Sequence, residues 1–189
     1  TKICDVSEIK LLGKHNWQNV CAAVTAVWHV AQDVEACRKI ATSFSGLEHR
    51  LELVRTHNEV AYYDDSFGTT PATATVAIEA FAQPKVLILG GSSKGATYKE
   101  LAKAVASGNV KAVITIGLTG AGIARDLKSM NFKNVTEGAD TMAEIVAQAC
   151  DVAEPGDVVL LSTACASFDM FKNYKDRGEQ FQKAVNALA

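Results

Sequence analysis

From Asn16 to Gln32 the apolar residues Trp17, Val20, Cys21, Val24, Val27, Trp28 and Ala31 recur every three or four positions, which predicts a helix with a wide buried face. A shorter helix follows to about Thr42, with Asp33 as its N-cap and Val34, Cys37, Ile40 and Ala41 inward. The segment Ser43 to Gly46 breaks it and serves as the boundary between two parts of the chain. Leu51 and Leu53 then alternate with Glu52 and Arg55, and Val60 to Tyr63 follows a short turn, so two strands are expected.

Beyond Tyr63 the pattern becomes strand, loop and helix in repetition. Lys85 to Leu89, Val110 to Ile116 and Asp157 to Leu161 are short apolar runs, and the stretches between them read as helices. Thr70-Pro71 is an N-cap followed by proline at the first helical position, opening a helix to about Ala82. Further helices are expected over about Tyr98 to Ala106, Gly120 to Met130, Thr141 to Ala153 and Phe168 to Leu188. Continuous apolar strands alternating with helices imply a doubly wound α/β fold: a mainly parallel sheet covered on both faces. The helical segment 1–44 precedes that domain, which occupies 45–189. In such sheets ligands bind outside the carboxyl ends of the strands, so the loops at 64–70, 90–97, 117–122 and 162–167 are the ones to inspect.

Composition narrows the function. With 189 residues, 48% hydrophobic and 21% charged, the chain has the make-up of an ordinary globular protein. Its 19 Lys and Arg against 21 Asp and Glu leave a net charge of −2 without a basic run, so nucleic acid is not an expected partner. No apolar stretch approaches the roughly 20 residues of a membrane span. A cytoplasmic monomer is expected. The five cysteines lack CxxC spacing, which points to buried free thiols rather than disulfides or a zinc site.

Several loops carry candidate chemistry. Gly90-Gly91-Ser92-Ser93-Lys94-Gly95 leaves a strand and precedes a helix; it either offers amides and an ammonium to an anion or is a Gly-Ser turn with a solvated lysine. It is not a GxxxxGK[ST] loop, a motif these residues lack. Gly117, Gly120 and Gly122 invite a dinucleotide reading, but Arg125 stands where GxGxxG requires glycine or alanine. Asp64-Asp65-Ser66 suits a ribose, a metal or an Asx turn. Small residues fill 162–167, with Ser167 placed to cap the next helix and favour a carboxylate there, or simply to cap it while Phe168, Phe171 and Tyr174 pack on the sheet. Asn16 and Asn19 share one helix face, and Arg50 opens a strand.

In order, the blocks LLGKHNWQN, GLEHR, YYDDSFGTTP, LILGGSSKG and LLSTACASFDMFKNYKDRG resemble the Mur ligases, and the last block is most similar to members that add D-glutamate. The resemblance spans Leu11 to the end of the chain. It implies that 1–44 is the tail of the family's central ATPase domain and 45–189 its Rossmann-like C-terminal domain. It further implies ATP-driven, ADP-forming amide synthesis between D-glutamate and UDP-N-acetylmuramoyl-L-alanine, with ATP and Mg2+ used by the full-length enzyme. The present segment lacks the family's UDP-binding domain and its phosphate loop, so it is expected to be inactive alone, to hold no cofactor tightly, and to meet the UDP-linked substrate mainly through other regions. By resemblance, Asn16 and Asn19 lie at the adenine end of ATP, Arg50 near the phosphates and Asp65 at the ribose. Lys94 would pair with D-glutamate, in a pocket lined by Thr69, Ser167, Phe168 and Tyr174. Arg50 and Lys94 are the expected catalytic cations. The chain departs from the common pattern at Phe67, where many members have lysine, at Ser92 in place of aspartate and at Glu48 in place of proline. A free-standing module that binds an acidic small molecule, or a Mur or folylpolyglutamate-type ligase with another acceptor, are the competing readings.

Overall fold

A computed structural model of the chain describes every residue except Lys94. The chain divides into two compact units, Thr1–Leu47 and Glu48–Ala189.

The first unit holds a single 3-10 turn (Val6–Glu8) and helices α1 (Lys14–Trp28) and α2 (Val34–Ser43). Asp33 caps α2 as expected, accepting from the Ala36 amide at 3.0 Å. Helix α1 is shorter than its periodicity predicts, and the wide buried face expected of it is absent: none of its residues is buried. Its apolar positions instead line a groove of about 370 Å³ with α2, in which Val20, Val24 and Val27 face Cys37, Ile40 and Ala41.

The second unit is built on a six-stranded sheet in the order β1-β2-β6-β3-β4-β5. Strands β1 (Glu52–His57) and β2 (Val60–Asp64) form an antiparallel hairpin. Its turn residues Asn58 and Glu59 both have positive φ, 50° and 61°, the backbone a two-residue hairpin turn requires. All remaining pairs, among β2, β6 (Val158–Leu161), β3 (Lys85–Gly90), β4 (Val110–Ile116) and β5 (Val135–Glu137), are parallel. Three-residue β5 escapes sequence reading because it is too short to show a period.

Helices α3 (Pro71–Glu79), α4 (Lys99–Ser107), α5 (Gly120–Ser129), α6 (Met142–Val152) and α7 (Tyr174–Asn186) cover the sheet. Thr70 caps α3 through the Thr73 amide, and Pro71 stands first in the helix. In β3, Val86 and Ile88 join the core cluster with Ile145, Val146, Phe181 and Val185 of α6 and α7. Leu87 and Leu89, equally buried, project to the opposite face, because successive strand side chains alternate. The expected covered parallel sheet is therefore what forms.

The last helix begins six residues later than the apolar pattern suggests. Asn173, not Ser167, caps α7, accepting from the Asp176 amide at 2.9 Å. The thiols also differ from expectation: only Cys165 is buried, Cys21 is exposed and Cys4, Cys37 and Cys150 are intermediate. Among the described residues no helix is long and apolar enough to cross a membrane.

Candidate functional site

Because β2, β6, β3 and β4 are neighbouring parallel strands, the loops that leave them emerge side by side at one edge of the sheet. Close backbone approach stitches these loops together. A side chain on Gly90 (φ 123°) would lie 2.0 Å from the Ile116 carbonyl oxygen, and one on Gly91 (φ 140°) 2.3 Å from that of Ala166. Only glycine fits at either place. Beyond them the Ser92 amide donates to the Ala166 carbonyl at 2.9 Å. The glycine pair thus serves strand packing, while Lys94 lies outside the described residues.

Asp64, which ends β2, and Asp65, which follows it, are both buried, but they do different things. Asp64 forms an Asx turn, its Oδ1 accepting from the Ser66 amide at 2.9 Å, while its Oδ2 lies 2.7 Å from His49 Nδ1 and accepts from Gln182 Nε2 at 3.0 Å. Asp65 Oδ2 accepts from Ser162 Oγ at 2.7 Å and its Oδ1 from the Leu51 amide at 3.3 Å. Burial pushes the Asp65 carboxyl up to about 6; Ser162, the Leu51 amide and the Arg50 charge oppose that rise, and Asp64 adds to it. Asp65 joins the ends of β2 and β6.

Arg177 was not singled out from the sequence, and it proves to be a central connector. Its side chain has no accessible surface. Its Nε donates to Ser66 Oγ (2.8 Å), one terminal nitrogen to the Ser66 carbonyl (2.8 Å) and the other to the Cys165 carbonyl (3.1 Å). Ser66 Oγ in turn donates to the Tyr174 carbonyl at 2.7 Å. Burial lowers the guanidinium pKa to about 10, so it stays charged at neutral pH. It falls within the block LLSTACASFDMFKNYKDRG, one helical turn after Tyr174, and those are the sequence signals that could have marked it.

The expected pocket residues divide accordingly. Ser167 is buried in the turn after β6, and Thr69 is half-buried in the loop after β2. Tyr174, first in α7, sets its ring edge-on to Phe67 (5.2 Å) and His49 (6.1 Å). Phe168 is 72% exposed, so it does not pack on the sheet; Phe171 does. Because the helix starts at Tyr174, no helix dipole acts at Ser167, and the fixed positive charge behind that turn is Arg177. Arg50 is half-buried, its guanidinium carbon 5.6 Å from the Phe67 ring centre. In the first unit, Asn16 Nδ2 donates to the Leu12 carbonyl at 2.7 Å and its Oδ1 accepts from Asn19 Nδ2 at 3.1 Å.

Among the described residues His49, Glu52 and Asp64 form the one group with metal-ligand chemistry. It does not suit magnesium. The His49 and Asp64 atoms are hydrogen-bonded to each other, Gln182 donates to both Glu52 and Asp64, and Gly178 packs where a side chain would lie 2.2 Å from the His49 ring. Magnesium keeps several waters in an octahedron and needs more room.

Residues 49–165 match the family model described as "Mur ligase, glutamate ligase domain". The chain is 42% identical over its full length to the UDP-N-acetylmuramoylalanine--D-glutamate ligase of Symbiobacterium thermophilum, covering 41% of that protein. It is 43% identical over 97% of its length to the enzyme of the same name from Lachnospira eligens, covering 40% of it. The chain thus spans about two fifths of the curated relatives it matches. Among solved structures, UDP-N-acetylmuramate-alanine ligase MurC from Thermotoga maritima superposes with a TM-score of 0.72 at 16% identity, over 95% of this chain and 39% of that one.

Proposed function

This chain belongs to the Mur ligase family, and from that premise we propose that it is part of an ATP-dependent, ADP-forming ligase that joins D-glutamate to UDP-N-acetylmuramoyl-L-alanine in cytoplasmic peptidoglycan synthesis. The supporting observation is the edge of the sheet where Asp65, Arg50 and Ser167 stand on loops, and Tyr174 at the start of α7, joined by glycine contacts and by Arg177.

In this reaction the acceptor carboxylate takes the terminal phosphoryl group to give an acyl phosphate and ADP. The D-glutamate amine attacks the acyl carbon, and phosphate leaves from the tetrahedral intermediate while the amine sheds a proton. The demands are charge neutralisation around the phosphoryl group and close placement of amine and acyl carbon. Asp65, once ionised, accepts from a ribose hydroxyl, and Arg50 faces the phosphates. Thr69, Ser167, Phe168 and Tyr174 line the glutamate pocket, where Lys94 pairs with a carboxylate and the buried Arg177 charge favours an anion. This chain contributes the nucleotide's sugar contact and one phosphate-facing cation. Mg2+ and the UDP moiety are assigned to the remainder of the full-length protein, since the His49, Glu52 and Asp64 group does not suit the metal.

The test is steady-state kinetics of the full-length protein. Ser167→Ala and Lys94→Ala should each raise KM for D-glutamate about tenfold, the cost of an unpaired polar contact, and leave KM for ATP nearly unchanged. Equal effects on both substrates would count against the assignment. The 189-residue chain alone should form no ADP in response to D-glutamate, and steady turnover by it would refute the partial-enzyme reading.

A further inference from the structure

Phe67 is 46% exposed, an unusual position for a large apolar ring in a loop of aspartate, serine, glycine and threonine. It is nevertheless engaged on both sides. The Arg50 guanidinium carbon lies 5.6 Å from its ring centre, within the range of a cation–π contact. The Tyr174 ring meets it edge-on at 5.2 Å with planes 87° apart, and the Tyr174 ring meets His49 in the same manner at 6.1 Å. Their surroundings are fixed in part by the backbone: the Phe67 amide donates to the His49 carbonyl at 2.9 Å, the Tyr174 carbonyl accepts from Ser66 Oγ, and the His49 ring is held by Asp64. The series Arg50, Phe67, Tyr174, His49 thus joins the segment before β1, the loop after β2 and the start of α7. Arg50 is the one long flexible member. Without a face to lie on, its guanidinium would sample many rotamers, and each phosphate contact would first have to offset that freedom.

We propose that Phe67 is a positioning residue for nucleotide binding: its ring braces the Arg50 guanidinium on the Tyr174 side of the loop, in the orientation that meets phosphate. This inference rests on the reading of Arg50 as phosphate-facing. It adds that the phosphate cation and the pocket residue Tyr174 share one aromatic bridge, so a disturbance of either is felt by the other.

The experiment uses the full-length protein and measures ATP affinity by calorimetry, together with the NMR shift of the Arg50 side-chain protons, which a ring face displaces upfield. Phe67→Leu should remove that displacement and weaken ATP binding by roughly three- to tenfold, the scale of a partly exposed cation–π contact plus lost ordering. Phe67→Tyr, which keeps the ring, should restore both. In an Arg50→Gln background Phe67→Leu should cost no further ATP affinity, an outcome a merely structural role would not produce. The proposal is overturned if Arg50 shows no upfield displacement in the parent protein, if Phe67→Leu binds ATP as the parent does, or if the two substitutions add. D-glutamate-dependent turnover of the parent is read separately. Its absence with ATP binding and the Arg50 coupling intact would sink the ligase assignment and leave this inference standing.

Discussion

The two units treat apolar side chains in opposite ways. In the second, Leu87, Leu89, Val159, Leu160 and Phe181 have no accessible surface, and both faces of the sheet are covered. In the first, Val27, Val30, Ile40, Phe44 and Leu47 are exposed and Ala41 is the single buried residue among those described. Both show strong periodicity, so period alone does not separate a self-sufficient fold from one that leaves its stripe uncovered. What separates them is the presence of opposed elements. A helix gains most of its stability from the face it packs, and α1 packs little.

The strongest way to break this contrast is excision. Residues 48–189 alone should keep a cooperative thermal transition by circular dichroism, whereas 1–47 alone should lose most of its helical signal. A cooperative melt of 1–47 would show that its groove suffices as a core. Next comes the loss of single residues. Arg177→Ala should lower stability by about 4 kcal/mol in urea titration of the second unit, because it leaves the Ser66 and Cys165 carbonyls unpaired and opens a cavity. Val30→Ser, at a 90% exposed position of the first unit, should change stability by less than about 0.5 kcal/mol. A comparable loss at both would erase the distinction.

A smaller effect concerns pH. The Asp65 carboxyl titrates near 6 in the folded chain, against about 3.9 in an unfolded one. Between those values the folded chain retains a proton that the unfolded chain has released. Its stability therefore falls as pH rises from about 4 to about 6 and is level above. Asp65→Asn should remove a decline on the order of 2 kcal/mol from urea titrations across that window. An unchanged slope would mean that Asp65 is already ionised in the fold.

How much was legible follows from the same physics. The apolar runs of β3, β4 and β6 and the Thr70-Pro71 start of α3 are local signals, and each element formed where its residues indicated. The stretch 168–173 misled because Phe168, Phe171 and Tyr174 have helical spacing. Asp169 binds the Leu118 amide at 2.8 Å and Asn173 caps the next segment, so turns replace the first predicted helical residues. At the candidate site, residue types drew attention to Asp65, Ser167 and Tyr174, which the fold brings to one edge of the sheet. Arg177 was hidden because its partners, Ser66 and Cys165, are 111 and 12 residues away and nothing local joins them. The exposure of Phe168 was hidden for a related reason, since it depends on where the helix begins.

The strand order also shapes how the molecule comes into being. Strand β6 lies between β2 and β3, with Val158 opposite both Ala61 and Lys85. On a ribosome that releases the amino end first, the two flanking strands are made long before the strand that joins them. At about 5–20 residues per second, the 67 residues between Gly90 and Val158 leave two open strand edges for on the order of 3–13 seconds. During that interval any passing extended peptide is a competitor for the same backbone hydrogen bonds. Completion of the sheet is therefore a late, nonlocal event in the nascent chain, and the edge where the loops meet takes shape only when the final strand slides into place.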